Sequence, residues 1–247
     1  MGLTEQVPES RAPRAPPQDF PVTEEPAAHI VGRELLALAA ASLLYPFGLW
    51  RSAKRTPRRA EQRTVVLVHG YLANRGPLLP LAAYLRARGH KQILAYEYSG
   101  AAGIEQAAIG LRDFLRERVR GGRIDLVCHS LGGLVARVYL QQLGGARRVD
   151  RCITLGTPHR GTYNAYWVAS RIGRELRPDS PFLARLDASR AHAARVRFAS
   201  IVAGSDNIII PRVFSSSDAV VHVPGLGHLG LLFSPTAFRA VAERLAT

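Results

Sequence analysis

From residue 64 onward, short apolar runs alternate with longer segments whose apolar residues recur at helical spacing. The short runs are rich in β-branched residues, which is typical of buried strands in a parallel sheet. The runs are 64–70, 91–98, 123–130, 149–158, 196–206 and 219–225, and the helical segments are 77–89, 103–121, 131–143 and 235–246. Because parallel strands are joined by crossovers, usually helices, this alternation predicts an α/β fold with a mostly parallel sheet flanked by helices.

One long interval, residues 160–195, breaks the alternation, and its two halves, 162–178 and 181–196, both have helical spacing. Open α/β sheets bind their ligands at the carboxyl ends of the strands, so we expect this interval to form a small helical cap there. Several aromatic and apolar cap residues are candidates for a substrate-binding surface, although each is equally typical of ordinary core. They are Tyr163, Tyr166, Trp167, Phe182 and Leu183.

The stretch 125-DLVCHSLGGLVA-136 passes from a strand to a helix through Ser130. In α/β-hydrolases a nucleophilic serine occupies such a turn, in the pattern G-x-S-x-G. Gly132 and Gly133 supply small residues on the helix side, whereas Cys128 occupies the leading glycine position. Cysteine is small and its side chain belongs to the strand, so we expect a slightly altered turn that still presents Ser130 as a nucleophile. The competing interpretation of Ser130 alone is a helix N-cap.

Two later strand ends carry residues that complete a catalytic triad. The segment 203-AGSDNIIIP-211 places Asp206 in a loop after one strand, and 222-HVPGLGHLGLLFSP-235 places His228 in a glycine-flanked loop after the last. The chain order serine, acid, histidine is that of α/β-hydrolases. We therefore expect Asp206 to orient His228, which takes the proton of Ser130 and returns it to the leaving group.

Other residues remain alternatives for these roles. The competing acids are Asp218, Asp179 and Asp187. Four further histidines suit other places: His222 a strand, His69 and His159 the support of loops, and His129 a position beside the nucleophile.

An oxyanion hole needs two backbone N–H donors. Leu131, directly after Ser130 at a helix N-terminus, is the first candidate. The second comes from the loop 68-VHGYLAN-74 after the first strand, where Tyr71 is the better candidate and Leu72 the alternative.

Five segments together resemble one family: 66-VLVHGY-71, 127-VCHSLGGLVAR-137, 153-ITLGTPHRGT-162, 204-GSDNIIIP-211 and 225-GLGHLGLL-232. In this order they resemble the lipase/esterase branch of the α/β-hydrolase superfamily, in particular bacterial triacylglycerol-lipase-like proteins. The resemblance covers roughly residues 64–247, and the LGTPHRGT segment is similar to the GTPH-x-G loop of those lipases. It implies ester hydrolysis through an acyl-serine without a cofactor, with Ser130 as nucleophile, Asp206 as acid, His228 as base and the same oxyanion donors.

The formal net charge is +14, and nearly all the positive charge is arginine, since only Lys54 and Lys91 are lysines. A dense arginine run stands at 51-RSAKRTPRRAEQR-63, but no nucleic-acid-binding motif accompanies it, so we expect no nucleic-acid partner. Cys128 and Cys152 lie in apolar strand-like runs and fit no metal motif. They predict buried free thiols and a reducing compartment.

The N-terminal part lies outside the resemblance. Residues 1–30 are rich in proline and lack an early apolar run, which predicts a disordered tail without a secretory signal and hence a cytoplasmic protein. Residues 31–63 combine the uncharged run 35-LLALAAASLLYPFGLW-50, which Pro46 and Gly48 interrupt, with the arginine run.

Three alternatives follow for this apolar run: a helix packed on the domain, a helix lying in a membrane surface, or a short span. In the second alternative, residues 35–63 make a peripheral contact with anionic lipid.

The ordered triad favours a serine esterase or lipase, and the cap and the arginine-flanked apolar segment favour a lipidic acyl ester as substrate. Acyl transfer to an acceptor other than water is a variant of the same chemistry. The alternative, motivated by Cys128 and the unmatched N-terminal part, is a non-catalytic protein of the same fold that associates with a membrane or a partner. The sequence carries no signal for the oligomeric state.

Overall fold

The computed structural model describes residues 25–49, 63–210 and 219–247. Its described part contains a six-stranded sheet in the order β2-β1-β3-β4-β5-β6, in which every neighbouring pair is parallel. The strands are β1 (Thr64–Val68), β2 (Ile93–Tyr96), β3 (Ile124–His129), β4 (Val149–Leu155), β5 (Arg197–Ala203) and β6 (Ala219–Val223). The predicted parallel sheet is thus confirmed, and each strand lies inside its predicted run.

Helices cover both faces of the sheet, as predicted. They are α1 (Ala27–Leu49), α2 (Leu79–Ala87), α3 (Ile104–Arg118), α4 (Leu131–Gln142), α5 (Arg171–Glu175), α6 (Pro181–Ala188) and α7 (Pro235–Ala246). Because successive side chains of a strand point to opposite faces, Val66 and Val68 pack with α3 and α4 in one core, whereas Val65 and Leu67 pack with α2 and α7 in the other.

The cap differs from its prediction. Residues 162–178 do not form one helix: a 3-10 turn covers Tyr163–Trp167, and α5 begins anew after Ser170, whose hydroxyl accepts the Gly173 N–H. The chain folds back here, since a Cβ at Gly173 would lie 2.0 Å from the Val168 carbonyl oxygen. Helical spacing was a poor guide in this segment, because local side-chain caps and a tight reversal interrupt the backbone.

The cap's second predicted helix, 181–196, is also shorter. It ends as α6 at Ala188 and continues as a separate 3-10 turn over Arg190–Ala193. Phe182 and Leu183 of α6 are buried in the core with α3 and α4.

Helix α1 begins at Ala27, within the predicted tail, and continues through Pro46 to Leu49. One side of α1 docks on the domain and is buried or partly buried: Ile30, Glu34, Ala37, Ala40, Ala41, Leu44 and Gly48. Most other faces are exposed and apolar, with Leu36 at 72% and Leu43 at 74% exposure. Of the three alternatives for this run, the structure therefore shows packing on the domain, and it leaves an apolar surface uncovered.

Three predicted features lie outside the described residues. These are most of the tail 1–30, the arginine run up to residue 62, and Asp218.

Candidate active site

Ser130 stands on a sharp turn between β3 and α4, with φ 53° and ψ −125°. Among the described non-glycine residues, only Leu72 shares a positive φ. Such a conformation is strained and persists only where the surrounding structure holds it. The Ser130 side chain makes no capping hydrogen bond to α4, so an N-cap role does not account for this serine.

Neighbouring backbone holds the Ser130 turn from both sides. The Ser130 N–H donates to the Leu155 carbonyl at 2.8 Å, and the Gly133 N–H and the Thr157 hydroxyl donate to the Ser130 carbonyl at 3.0 and 2.9 Å. The glycines permit this packing: a Cβ at Gly132 would lie 2.6 Å from a carbonyl oxygen of the loop after β1. A Cβ at Gly133 would lie 2.1 Å from Thr157 Oγ1.

Cys128, at the leading glycine position of the motif, is fully buried in β3 and lies in register with Thr154 of β4. Burial raises the pKa of its thiol well above the usual range, and a hydrogen bond with Cys152 adds to that rise. Both cysteines are free and buried, as predicted. Because the Cys128 side chain fills the core on the α3 and α4 side, it does not occupy the turn that presents Ser130.

His228 and Asp206 form a buried pair. His228 Nδ1 lies 2.8 Å from Asp206 Oδ2, and since a carboxylate only accepts, we infer that Nδ1 carries the proton. The other carboxylate oxygen, Oδ1, accepts the N–H groups of Ile208 and Ile209, both at 2.9 Å. Burial alone would raise the pKa of Asp206, but the bond from His228 and these backbone donors outweigh it, so the pKa lies below its ordinary value. The carboxylate therefore stays ionised and points one oxygen at the imidazole.

The His228 ring lies beside the Ser130 turn. A Cβ at Gly156 would lie 3.1 Å from His228 Nδ1, and Gly156 follows Leu155, the acceptor of the Ser130 N–H. The ring of His129, the residue before Ser130, has its centroid 4.9 Å from that of His228. Ser130 Oγ has no hydrogen bond to His228 or to any other described residue. Catalytic hydrogen bonds in ligand-free sites are often long and shorten when substrate binds.

The loop after β1 closes the other side of the site. A Cβ at Gly70 would lie 2.9 Å from Ser130 Cβ. The N–H groups of Tyr71 and Leu131 donate to no acceptor within the described residues. That of Leu131 is at the first position of α4, where a helix leaves its N–H groups unpaired. Leu72, the alternative donor, has φ 54° and a side chain that is 79% exposed.

His159 supports the loop after β4. Its Nε2 lies 3.0 Å from the Thr154 hydroxyl, and Arg137 donates to its carbonyl at 3.0 Å. Burial, and then the charge of Arg137, hold the pKa of His159 well below its ordinary value, so the ring is neutral. In the loop after β1, His69 stacks on Tyr98 at 4.4 Å between ring centroids.

Neither of the two competing acids that the structure describes reaches His228. Asp179 accepts a hydrogen bond from the Tyr166 hydroxyl at 2.8 Å, and Asp187 forms an ion pair with Arg137 at 2.7 Å. His222 lies in β6, as expected.

The candidate substrate-binding residues fall into two groups. Tyr163, Tyr166 and Trp167 are exposed on the first cap turn, Trp167 at 89%. Phe182 and Leu183 are 5% and 3% exposed, because α6 turns its apolar face onto α3 and α4, and their burial agrees with the alternative of ordinary core.

The part that α1 plays near the site is not apparent from the sequence. Glu34 accepts the N–H groups of Leu229 and Gly230, the two residues after His228. Asn74, in the loop after β1, donates to the Tyr45 carbonyl of α1. The available signal was weak: one carboxylate just before an apolar run, and a glycine-rich loop around His228, residues 225–230, which we call the histidine loop.

A cavity of about 1090 Å³ opens between the C-terminal end of α1, β2 and the loop after β1. Its lining includes His69, Tyr71 and Leu72 but none of Ser130, Asp206 and His228, so it adjoins the candidate site without containing it. Within the described residues, no three histidine, cysteine or acidic side chains are grouped as a metal site requires.

The sequence and the fold are similar to those of known proteins. A family model described as "PGAP1-like alpha/beta domain" matches residues 110–233, and one described as "Domain of unknown function (DUF7379)" matches residues 48–166. The structure is similar to Bacillus licheniformis lipase BlEst2 in its mature form, with a TM-score of 0.65 at 14% identity over 78% of this chain and 95% of that one.

Two longer proteins are similar as well. Phospholipase PlaB from Legionella pneumophila has a TM-score of 0.65 at 14% identity over 76% of this chain. Aspergillus fumigatus lipase B has a TM-score of 0.64 at 15% identity over 80% of this chain. The matches cover 60% and 55% of those two proteins. At such identities the likeness shows the fold, which is the predicted α/β-hydrolase fold. Because the first family model matches half of the sequence, the chain belongs to the PGAP1-like α/β domain family.

Proposed function

We propose that this protein is a serine hydrolase that cleaves carboxylic acyl esters through an acyl-serine at Ser130. The observation that carries the proposal is the buried hydrogen bond between His228 Nδ1 and Asp206 Oδ2 beside a strained serine turn. The fold shared with lipases and esterases agrees with this chemistry.

In the first half-reaction, His228 Nε2 takes the proton of Ser130 Oγ while Oγ bonds to the ester carbonyl carbon. The carbonyl oxygen becomes an oxyanion, which the N–H groups of Tyr71 and Leu131 stabilise. When the intermediate collapses, the ester C–O bond breaks and His228 returns its proton to the leaving alcohol.

In the second half-reaction, water gives its proton to His228 and attacks the acyl carbon. The second intermediate expels Ser130 Oγ, which recovers a proton from His228, and the carboxylic acid leaves. Asp206 stays ionised throughout and stabilises the imidazolium, because its other oxygen is fixed by Ile208 and Ile209.

A lipidic substrate is the class that the surroundings favour. Exposed apolar side chains follow several strand ends around the site: Leu72 after β1, Tyr163 and Trp167 after β4, and Ile208 and Ile210 after β5. Isolated exposed apolar residues are ordinary, but a rim of them at one sheet edge marks a contact with an apolar partner.

We propose that the partner surface is a bilayer containing anionic lipid. Helix α1 is long and apolar enough to span a membrane. Signal sequences near an N-terminus share this length and composition. An 18-residue stretch of α1 has a mean hydropathy of 1.4, yet only 6% of that stretch is buried in the protein. A spanning α1 would withdraw Glu34 from the histidine loop, so we favour a helix lying in the surface, with the adjoining arginine run attracted to anionic head groups.

The deciding experiment is hydrolysis of p-nitrophenyl acyl esters of increasing chain length by the wild type and Ser130→Ala. Ser130→Ala should lower kcat by about three orders of magnitude or more. Ser189→Ala is the matched control, because Ser189 contacts Gln141 near the other end of α4, roughly 15 Å along the helix. Failure of the wild type on every ester, or full activity of Ser130→Ala, would contradict the proposal.

A fluorophosphonate probe tests the non-catalytic alternative. The proposal requires labelling that disappears in both Ser130→Ala and His228→Ala. Folded wild type that takes no label would favour a binding role for the fold.

A further inference from the structure

We propose that helix α1 is a positioning element of the active site, in which Glu34 holds the loop that carries His228. The inference rests on the proposed function for the catalytic role of His228. It assigns part of the site to a segment that lies outside both the resemblance and the α/β core.

The Glu34 carboxylate bridges two consecutive backbone donors. Its Oε2 accepts the Leu229 N–H at 2.9 Å and its Oε1 accepts the Gly230 N–H at 2.7 Å. These residues begin the 3-10 turn that follows His228, where N–H groups have no partner within the turn. Charge-assisted bonds of this kind are stronger than neutral ones and fix the direction of the backbone.

The shape of the loop provides an observation independent of these hydrogen bonds. In 225-GLGHLG-230 every glycine lies against a charged side chain from the region of α1. A Cβ at Gly227 would lie 2.4 Å from the Glu34 carboxyl group, and one at Gly230 would lie 2.9 Å from Glu34 Oε1. Any larger residue at these two positions would push Glu34 away from the loop.

Arg33 holds the beginning of the same loop. Its Nη1 donates to the Gly225 carbonyl at 2.8 Å and forms an ion pair with Glu25 at 2.7 Å. A Cβ at Gly225 would lie 2.5 Å from the Glu25 carboxylate. Adjacent residues of α1 therefore bind the histidine loop before and after His228.

The other end of α1 binds the loop that carries Tyr71. Asn74 Nδ2 donates to the Tyr45 carbonyl at 2.9 Å, while Asn74 Oδ1 accepts the Gly76 N–H at 2.8 Å. The approach is close, since a Cβ at Gly48 would lie 2.2 Å from Asn74 Oδ1.

The dimensions of α1 fit this bridging role. Strands β1 and β6 are four places apart in the sheet, or roughly 19 Å. From Glu34 to Tyr45 the helix rises about 16 Å. Helix α1 thus links the two loops across the edge at which the strands end.

The consequence for catalysis is specific. Without Glu34, the backbone after His228 loses both acceptors and the imidazole is no longer held against Ser130 and Asp206. Misplacement of a catalytic group slows the chemical step much more than it weakens substrate binding. We expect Glu34→Ala to lower kcat by about 10- to 100-fold, with KM within about threefold of the wild type.

The test uses the full chain and compares Glu34→Ala and Glu34→Gln with Glu117→Ala, which removes an exposed glutamate of α3. Glu34→Gln keeps one acceptor oxygen, so its kcat should lie between those of the wild type and Glu34→Ala. This variant also tests the inference if Glu34→Ala does not fold. Circular dichroism and thermal unfolding establish that each variant is folded. Glu117→Ala should keep the wild-type kcat.

A second measurement does not depend on turnover. The Nδ1 proton of His228, bonded to Asp206, gives a low-field NMR signal, which should shift or broaden in Glu34→Ala and stay unchanged in Glu117→Ala. A folded Glu34→Ala with wild-type kcat and an unaltered signal would overturn the inference. Absence of hydrolysis in the wild type itself would instead contradict the proposed function, and the NMR comparison would still decide the role of Glu34.

Discussion

At the scale of single residues, two neighbouring imidazoles differ in what surrounds them. The rings of His129 and His228 lie 4.9 Å apart and both are buried, yet only His228 faces a carboxylate. Burial, and then repulsion by His228, lower the pKa of His129 to about 3. His129 is therefore neutral at physiological pH, and its ring can pack beside Ser130 without competing for Asp206.

This difference predicts a pH dependence of stability. A histidine that is neutral when folded but titrates near 6.5 when unfolded stabilises the fold fully above pH 6.5 and loses that contribution as the pH falls toward 3. The slope is at most about 1.4 kcal/mol per pH unit for one such group. Urea unfolding of the wild type and His129→Gln, measured between pH 5 and 7.5, should show a shallower decline for His129→Gln.

Two other groups shape the same curve with the same sign. His159 also has a pKa well below its ordinary value and steepens the decline in both proteins, so its contribution cancels in the difference between them. The lowered pKa of Asp206 stabilises the fold above about pH 4, and this contribution is lost only below that window. Identical slopes in the two proteins would contradict a neutral buried His129.

The triad candidates could be selected from the sequence because each one follows a strand and stands in a local glycine-rich pattern. Glu34 could not, because its contacts with Leu229 and Gly230 cross about 195 positions and depend on where α1 docks. Asn74 is similar, since its partner Tyr45 is defined by the tertiary fold. Local chemistry predicts which residues react, whereas the residues that hold them are set by packing.

At the scale of elements, the unit that matters is the β3–turn–α4 segment packed against the loop after β1. A Cβ at Gly132 would lie 2.6 and 2.7 Å from the carbonyl oxygens of His69 and Val68. These are backbone atoms, which cannot rotate away as a side chain can. The start of α4 would have to move, and Ser130 and the Leu131 N–H would move with it.

Gly132→Ala should therefore destabilise the protein by about 1–3 kcal/mol and lower kcat at least tenfold, because overpacking displaces both elements. Gly32→Ala is the matched control, since Gly32 is also helical and has nothing within 4 Å of an added Cβ. That change should stabilise α1 by up to about 1 kcal/mol. Thermal unfolding measures the change in stability and ester hydrolysis the change in kcat. Equal stability and equal kcat of the two variants would contradict the expected clash at Gly132.

The bounds of the helices in the cap could not be predicted from apolar periodicity. The strands and α7 agree with their apolar patterns, because each is held by a continuous face of core residues. In the cap, the Ser170 hydroxyl caps α5, and the Thr162 hydroxyl donates to the Ile208 carbonyl, in the loop after β5, at 2.7 Å. These polar contacts interrupt the segment 162–178, whose apolar spacing is that of a single helix. The spacing of apolar residues does not indicate where such contacts form.

At the scale of the whole molecule, charge and apolar surface are brought together at the edge where the strands end. Helix α1 docks through one side, which includes Leu44, and leaves its other leucines exposed. The net charge of +14 and the arginine run after α1 add attraction to anionic surfaces. An enzyme arranged in this way would meet its substrate with the exposed apolar residues facing lipid.

The corresponding prediction is that the full-length protein sediments with phosphatidylglycerol vesicles at low salt, and less with phosphatidylcholine vesicles or at high salt. Replacing two exposed leucines with Leu36→Glu and Leu43→Glu should lower the partition coefficient between vesicle and water at least tenfold. Burying each leucine side chain in lipid contributes about 1.5–3 kcal/mol to the free energy of binding, and the two changes remove that contribution. The control variant carries the same added charge on α2, as Ala83→Glu and Ala87→Glu. Its partition coefficient should fall less than about threefold, because the apolar contact of α1 with lipid is intact. Wild-type protein that stays in the supernatant with both vesicles at low salt would exclude a membrane role for α1, and equal losses in the two double variants would assign binding to charge alone.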